Sequence, residues 1–543
     1  MKSSIITAFI ICGLLLGAAS PGSACTNFLI TKGASADGST MISYAADSHE
    51  LYGELYYYPA RDFTPGAMRD VYEWDSGKYL GKIPQVAHTY SIVGLMNEHQ
   101  LSVGETTWGG REELRDSAAI VDYGSLMFLA LERARTAREA IKVMTELVAA
   151  NGYASEGESF SIADPNEAWI MDMIGKGKGI KGAVWVARRI PDGYIAGHAN
   201  YPRIHRFPLK DNLNCLYSSD VISFAREKGY FKGADEEFDF AAAYAPLDYG
   251  ALRACEARVY AMMNRAAPSL RLSMDYVKGV PGAEVLPFCI KPDRKLSVHD
   301  VMELMRDHFE GTDFDMTQDV GAGPFACPYR WRPMEWQVDS VTYVNERATS
   351  TQQTGFSFVS QLRSWLPDPI GGIFWFGVDD TYSTVYNPMY CGITRVPEAF
   401  AVGTADFHHF SWKSGFWVFN WVANFAYSRY CDMIKDIQVV QRDLEGKYLA
   451  AQPTIDAAAE LLYKQSPGLA RDYLTEYSCT VGQNTVDRWR TLGEELLVKY
   501  MDGNVKTELG AVTHPKYPES WYRRIVSERG EILKVRPVGE QKR

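Results

Sequence analysis

The order of the elements legible in this chain (strands, helices, strands again, then a long helical tail) predicts an α+β layered fold rather than a regular strand–helix alternation. Composition agrees: of 543 residues, 46% are hydrophobic and 23% charged, the profile of a globular chain with a large core. No internal repeat, low-complexity stretch or linker divides it. The net charge of −11, with no run rich in lysine or arginine, argues against nucleic-acid binding.

Residues 1–24 read as an export signal. Lys2 is the only charge, 5–19 is an apolar run, and Pro21-Gly22-Ser23-Ala24 is a small-residue exit. The run is short for a bilayer core about 30 Å thick. A cleaved leader and an exported protein, periplasmic or extracellular, are therefore expected, without stable membrane insertion. Residues 26–31 and 39–44 are strand-like and flank the turn-rich connector 32–38. A short hairpin follows at 91–96 and 101–105, and helical periodicity at 123–133 and 137–150. Strands return at 159–163, 168–173, 183–187 and 194–197, then helices at 220–228, 253–264 and 298–306. A second strand group covers 356–361, 371–377 and 384–390. The remainder is mainly helical, including 416–449, 454–464 and 486–500. Asn420 and Asn424 interrupt the apolar start of that tail, which predicts a buried helix and not a membrane span.

Cleavage after Ala24 removes Cys12 and leaves Cys25, Cys215, Cys255, Cys289, Cys327, Cys391, Cys431 and Cys479. Their spacing shows no CxxC pair and no zinc pattern. Other motifs fail on context. Gly177, Gly179 and Gly182 match GxGxxG, but a strand follows where a dinucleotide site needs a helix; a hairpin loop is expected. Asp313, Asp315 and Asp319 resemble a calcium loop with Gln318 in place of the required glycine. His408 and His409 are neighbours in sequence and so point apart in a strand. Neither metal nor cofactor is expected.

Three features meet at Cys25: a leader-cleavage site, a cysteine directly after it, and a hairpin starting there. A thiol needs a base to become a good nucleophile. An N-terminal residue carries one in its own α-amine, with a pKa of about 7.7–8.0. Antiparallel pairing about a turn near Ser35 brings the chain back to Cys25 at about residue 45. Asp47 then lies close to the thiol and the amine, where a carboxylate orients the amine.

These residues carry a resemblance. Cys25-Thr26-Asn27-Phe28-Leu29-Ile30, Ala36-Asp37-Gly38-Ser39-Thr40-Met41-Ile42 and Asp47-Ser48 resemble the mature start of the cysteine dipeptidases, the dipeptidase A type within the N-terminal-nucleophile hydrolases. Met96-Asn97-Glu98-His99-Gln100, Trp185-Val186-Ala187-Arg188-Arg189, Gly197-His198-Ala199-Asn200 and Gly371-Gly372-Ile373-Phe374-Trp375-Phe376-Gly377 extend it across residues 25–440. The resemblance implies a four-layer α-β-β-α sandwich with the nucleophile opening a central strand, and hydrolysis of dipeptides through a thioester acyl-enzyme. It also implies a nucleophilic Cys25, an amine-orienting Asp47 and an oxyanion donor in Asn200. Related bile-salt and penicillin amidases place an arginine where this chain has Tyr44, so the cation is either missing or supplied from elsewhere, with Arg203 and Arg347 as candidates.

Glu105, at the end of a strand that borders the pocket in related amidases, is a candidate reader of a dipeptide's α-ammonium, with Thr106 and Arg203 as further substrate contacts. A surface pairing of Glu105 with Arg111 or Arg115 is the alternative. The expected division is a leader at 1–24, a hydrolase domain at 25–440 and a helical extension at 441–543. Expected partners are small peptides, and assembly into a homo-oligomer stays open. Two other readings of Cys25 also stay open: an acylase of bile-salt or penicillin amidase type, and a lipid-anchored binding protein modified at Cys25, suggested by Gly22-Ser23-Ala24-Cys25.

Overall fold

The computed structural model describes residues 25–331 and 334–535. The leader expected at 1–24 lies outside the described residues. From Cys25 onward the molecule is α+β, built on two antiparallel sheets. A six-stranded sheet runs in the order Ile195–His198, Thr26–Ile30, Thr40–Asp47, Thr354–Leu362, Gly372–Val378 and Asn387–Tyr390. An eight-stranded sheet has Ser102–Trp108, Gly157–Ala163, Ala168–Gly175 and Ala183–Arg189 as its long members.

The central strands read as near-continuous apolar runs because both of their faces are covered. Every residue of Thr26–Ile30 and Thr40–Asp47 is buried. The two sheets meet across small polar bridges, Ser102 to Ser360 at 2.7 Å and Thr106 to His198 at 2.7 Å. The helices Tyr123–Arg133 and Ala137–Asn151 pack on the eight-stranded sheet, and Val298–Met305 packs on Thr40–Asp47 and Thr354–Leu362. Both helices of the first pair start on side-chain caps, Asp122 to Ser125 N and Thr136 to Glu139 N, where the first amides lack helical partners.

The hairpin at the chain start forms as its sequence predicts. Thr26 pairs with Ala45 and Ile30 with Met41, so the chain returns to Cys25 beside Ala46 and Asp47. The turn is a short 3-10 segment, Lys32–Ala34, closed by Gly38 at φ 84°. Asp37 locks it by accepting from the hydroxyls of Ser35 and Ser39. Gly177, Gly179 and Gly182 sit in the loop joining Ala168–Gly175 to Ala183–Arg189, at φ 94°, 79° and 101°. Their role is the left-handed backbone of that loop.

The tail differs from its prediction in continuity. The stretch expected at 416–449 breaks into Gly415–Ala426 and Tyr430–Gln465 at the 3-10 turn Tyr427–Arg429. The second helix runs on through Pro453, exposed on its surface. The division expected between 440 and 441 therefore falls inside one helix. No described helix is long and apolar enough to cross a membrane.

Candidate active site

Cys25 stands at the head of a buried central strand, 1% exposed, and its thiol faces groups from two other strands. The Tyr44 hydroxyl lies 3.5 Å from Sγ, on the neighbouring strand. Glu105 Oε1 lies 3.6 Å away, on the eight-stranded sheet, and also accepts the Tyr44 hydroxyl. The backbone N–H of Asp47 points at the sulfur from the third side. Asn27, two residues on from Cys25, donates to the Glu105 carbonyl at 2.6 Å and so ties the sheets together at this point. Tyr44 is itself held edge-on by Phe356 and Phe358, with ring centroids 5.8 and 5.7 Å away.

Burial pushes the Cys25 thiol well above its ordinary pKa, and the charges of Glu105 and Asp47 push it further. The resting sulfur is thus a neutral thiol, and a thiol held in this way needs a base to act as a nucleophile. Glu105 and Asp47 are both held above the usual carboxyl range, chiefly by burial. Asp47 is opposed in this by Arg347, whose Nη2 pairs with Oδ2 at 2.5 Å, and by Thr354, whose hydroxyl donates to Oδ1 at 2.6 Å. Of the two arginines expected to replace the missing cation, Arg347 is the one beside Asp47.

A third arginine, not anticipated from the sequence, completes the cluster. Arg258 is 1% exposed and donates to the Cys25 carbonyl at 2.6 Å, Thr26 Oγ1 at 2.8 Å and Asn200 Oδ1 at 2.9 Å. Burial, then the charge of Arg347, pulls its pKa down to about 10. The one available signal was spacing. Ala254, Arg258, Ala261 and Met262 fall on one helical face, so a lone arginine interrupts a stripe of small and apolar residues.

The other expected residues are placed as follows. Asn200 adopts φ 56° and its amide donates to the Thr107 carbonyl at 2.6 Å, while Arg258 holds its oxygen. An amide nitrogen carries two hydrogens, and Thr107 takes one of them. Thr106 faces away from Glu105 on its strand, and its hydroxyl meets His198 Nδ1 at 2.7 Å, with Ser161 on the opposite ring nitrogen at 2.7 Å. Burial pulls the His198 pKa down to about 3, so this imidazole is neutral. Arg203 does not join the Cys25 cluster. Its Nη1 pairs with Glu256 at 2.5 Å with both side chains fully buried, and its Nη2 donates to the Pro287 carbonyl. The expected substrate contact is replaced by an internal ion pair, because a buried guanidinium is tolerable only beside an opposite charge. Glu105 does not pair at the surface either: Arg115 bonds Glu156, and Arg111 reaches the Ala243 carbonyl.

Elsewhere, Asp313 is bound by Lys278, Asp319 by Arg330, and His409 by Asp406. All eight cysteines from Cys25 onward are thiols.

Residues 24–443 match the peptidase family C69. The chain belongs to peptidase family C69. It is a hydrolase of peptide bonds, of the cysteine type. Curated relatives include a probable dipeptidase of Latilactobacillus sakei, 26% identical over 65% of this chain and 71% of that protein. A probable dipeptidase of Salmonella dublin is 25% identical over 68% of this chain and 81% of its own length. A probable dipeptidase B of Streptococcus pyogenes serotype M1 is 21% identical over 89% of this chain and 94% of its own. The family match thus ends within the Tyr430–Gln465 helix.

Proposed function

We propose that this C69 peptidase is an exported dipeptidase whose nucleophile is Cys25, freed as the N-terminal residue when residues 1–24 are removed. The observation that carries the reading is the position of Cys25. It stands at the predicted cleavage point, opens a central strand, and meets Tyr44, Glu105, Asp47 and Arg258 there. The dipeptidase names of the relatives in Latilactobacillus, Salmonella and Streptococcus support the substrate class. We read the facing sheets and the helices packed on them as the four-layer sandwich of the N-terminal-nucleophile hydrolases. The part after residue 440 is read as a helical extension continuous with it.

On this reading the neutral α-amine of Cys25 takes the thiol proton as sulfur attacks the scissile carbonyl. Asn200 serves as the oxyanion donor. The ammonium then returns the proton to the leaving amine, which departs as the second amino acid and leaves a thioester. Water, deprotonated by the same amine, attacks the thioester and restores the thiol. Asp47, fixed by Arg347 and Thr354, orients the amine throughout.

The test combines the N-terminus with turnover. N-terminal sequencing of the exported protein is expected to start Cys-Thr-Asn-Phe, and intact mass to show no lipid. Cys25→Ala is expected to abolish hydrolysis of dipeptides in a panel that also holds tripeptides, bile-acid conjugates and penicillin V. Turnover by a protein that keeps its leader would overturn the mechanism. Preference for the acyl amides would overturn the substrate class.

A further inference from the structure

Glu158 adjoins this cluster and has no part in the chemistry described so far. Its strand, Gly157–Ala163, pairs with Ser102–Trp108 so that Glu158 lies opposite Thr107, and Glu105 sits two residues back on the same pleated face. The two residues are 0% and 1% exposed, and one oxygen of each carboxyl, Glu158 Oε1 and Glu105 Oε2, is buried without a hydrogen-bond partner. Two ionised carboxylates offer each other only acceptors, so a buried pair of like charges is relieved by one proton held between them. Their other contacts are all donors. Thr107 Oγ1 donates to Glu158 Oε2 at 3.0 Å, while the Tyr44 hydroxyl and the Cys25 thiol donate to Glu105 Oε1. The titratable groups facing the pair are Cys25, Tyr44, Asp75, Tyr123 and Tyr153, with Asp47 and Asp122 just beyond. Each is neutral or negative, and no lysine or arginine is among the strongest influences on either carboxyl.

The distance to the Cys25 thiol is compatible with an α-ammonium seated at Glu105. A carbonyl carbon under attack sits about 3–3.5 Å from the sulfur. Its own α-nitrogen lies about 2.5 Å from that carbon, and an N–H···O bond spans about 2.7–3.2 Å. These steps close onto the 3.6 Å between Sγ and Glu105 Oε1.

We propose that Glu158 is a specificity-determining residue: with Glu105 it forms a two-carboxyl seat that gives up its shared proton and takes the substrate's α-ammonium in exchange. The inference rests on the dipeptidase reading above. The exchange conserves charge, since the pair with its proton and the ionised pair with an ammonium both carry one net negative charge. The proton passes to bulk water, and no bond of the substrate breaks in this step. A substrate acylated at its α-nitrogen brings no cation and leaves the proton in place. Burial and the charge of Glu105 hold the Glu158 carboxyl far above its ordinary range, which keeps the proton on the empty seat.

Calorimetry tests the exchange directly. Mature Cys25→Ala protein is titrated at about pH 6, where a dipeptide's amine is still an ammonium, in buffers of differing ionisation enthalpy. The free dipeptide is expected to release about one proton per molecule bound, and its N-acetyl derivative none. Binding of the free dipeptide without proton release overturns the proposal. In the active enzyme, Glu158→Gln is expected to lower kcat/KM for the free dipeptide by roughly 10–150-fold, the worth of a hydrogen bond to a charged group. The acetylated substrate should be unaffected, and equal losses on both substrates would reduce Glu158 to a structural role. The calorimetric arm decides alone if that variant does not fold. Failure of the dipeptidase reading is distinct, because the wild-type enzyme would then leave free dipeptides uncleaved.

Discussion

Cys25 shares its surroundings with two carboxylates, whose charges oppose ionisation, and with the Tyr44 hydroxyl, whose hydrogen bond favours it, while Arg258 touches its backbone. Arg258 grips the Cys25 carbonyl, Thr26 and Asn200 with one guanidinium. It therefore positions three groups on which the proposed chemistry depends. Lysine keeps the charge but lacks the planar fork that serves several acceptors together. Arg258→Lys is expected to lower kcat by about 10–150-fold through the lost charge-assisted bonds, with KM little changed. Wild-type kcat in a folded Arg258→Lys protein would remove Arg258 from the site. Glu105 was expected at a strand end and lies instead within Ser102–Trp108, beside the thiol. Arg258 was not expected, because nothing in a helix's own sequence tells which strand its buried face will meet.

At the scale of elements, the site lies where the two sheets face each other, with Ser102–Trp108 against Thr26–Ile30 and Thr40–Asp47. Gly104 makes that contact possible. A Cβ there would collide with Asn27 Oδ1 and press on Tyr44 Cβ at 3.4 Å. Both neighbours belong to the six-stranded sheet, and Asn27 is the residue that clamps the Glu105 carbonyl. Gly104→Ala is therefore expected to cost about 1–3 kcal/mol, as overpacking does, and to lower turnover by displacing Tyr44 and Glu105 from the thiol. Thermal unfolding and kcat measured together check this. A variant of unchanged stability would show that the sheets have slack there. The hairpin register was readable beforehand because a strand's period of two and a turn near Ser35 leave few alternatives. The pairing of Ser102–Trp108 with Gly157–Ala163, which brings Glu158 to Glu105, spans two helices that the turn rules do not reach.

The whole molecule adds a stability term far from the thiol. Asp379 ends the Gly372–Val378 strand and accepts from Asn420 at 2.8 Å, which fixes the Gly415–Ala426 helix onto the six-stranded sheet. Its carboxyl is fully buried, and burial pushes its pKa up to about 8. The folded value is raised, so the native state keeps a proton that the unfolded chain releases above its ordinary 3.8. The stability linked to that proton is complete below the unfolded value and is lost as pH rises to about 8, by up to about 1.4 kcal/mol per pH unit. Asp379→Asn keeps an acceptor for Asn420 and removes the titration. Denaturant melts between about pH 4 and pH 8 are expected to show a flatter stability profile for the variant than for the wild type. Identical slopes would place the ionisable group elsewhere. Asn420 had been read only as a sign of a buried helix, and the sheet supplies the partner that explains it.

By itself the sequence determined the α+β class, the hairpin that returns Asp47 to Cys25, and the first helix, expected and found at Tyr123–Arg133. Each follows from local periodicity, turn chemistry or the ordered motifs of a family. Only the tertiary structure decided the cation set and the carboxyl pair. Arg347 went to Asp47, Arg203 to Glu256, and Arg258 to the backbone of Cys25. In the sequence these arginines are equivalent long cations. The physical reason lies in desolvation. A buried charge is tolerable only where a partner already waits, and partners far apart along the chain are set by how sheets and helices pack.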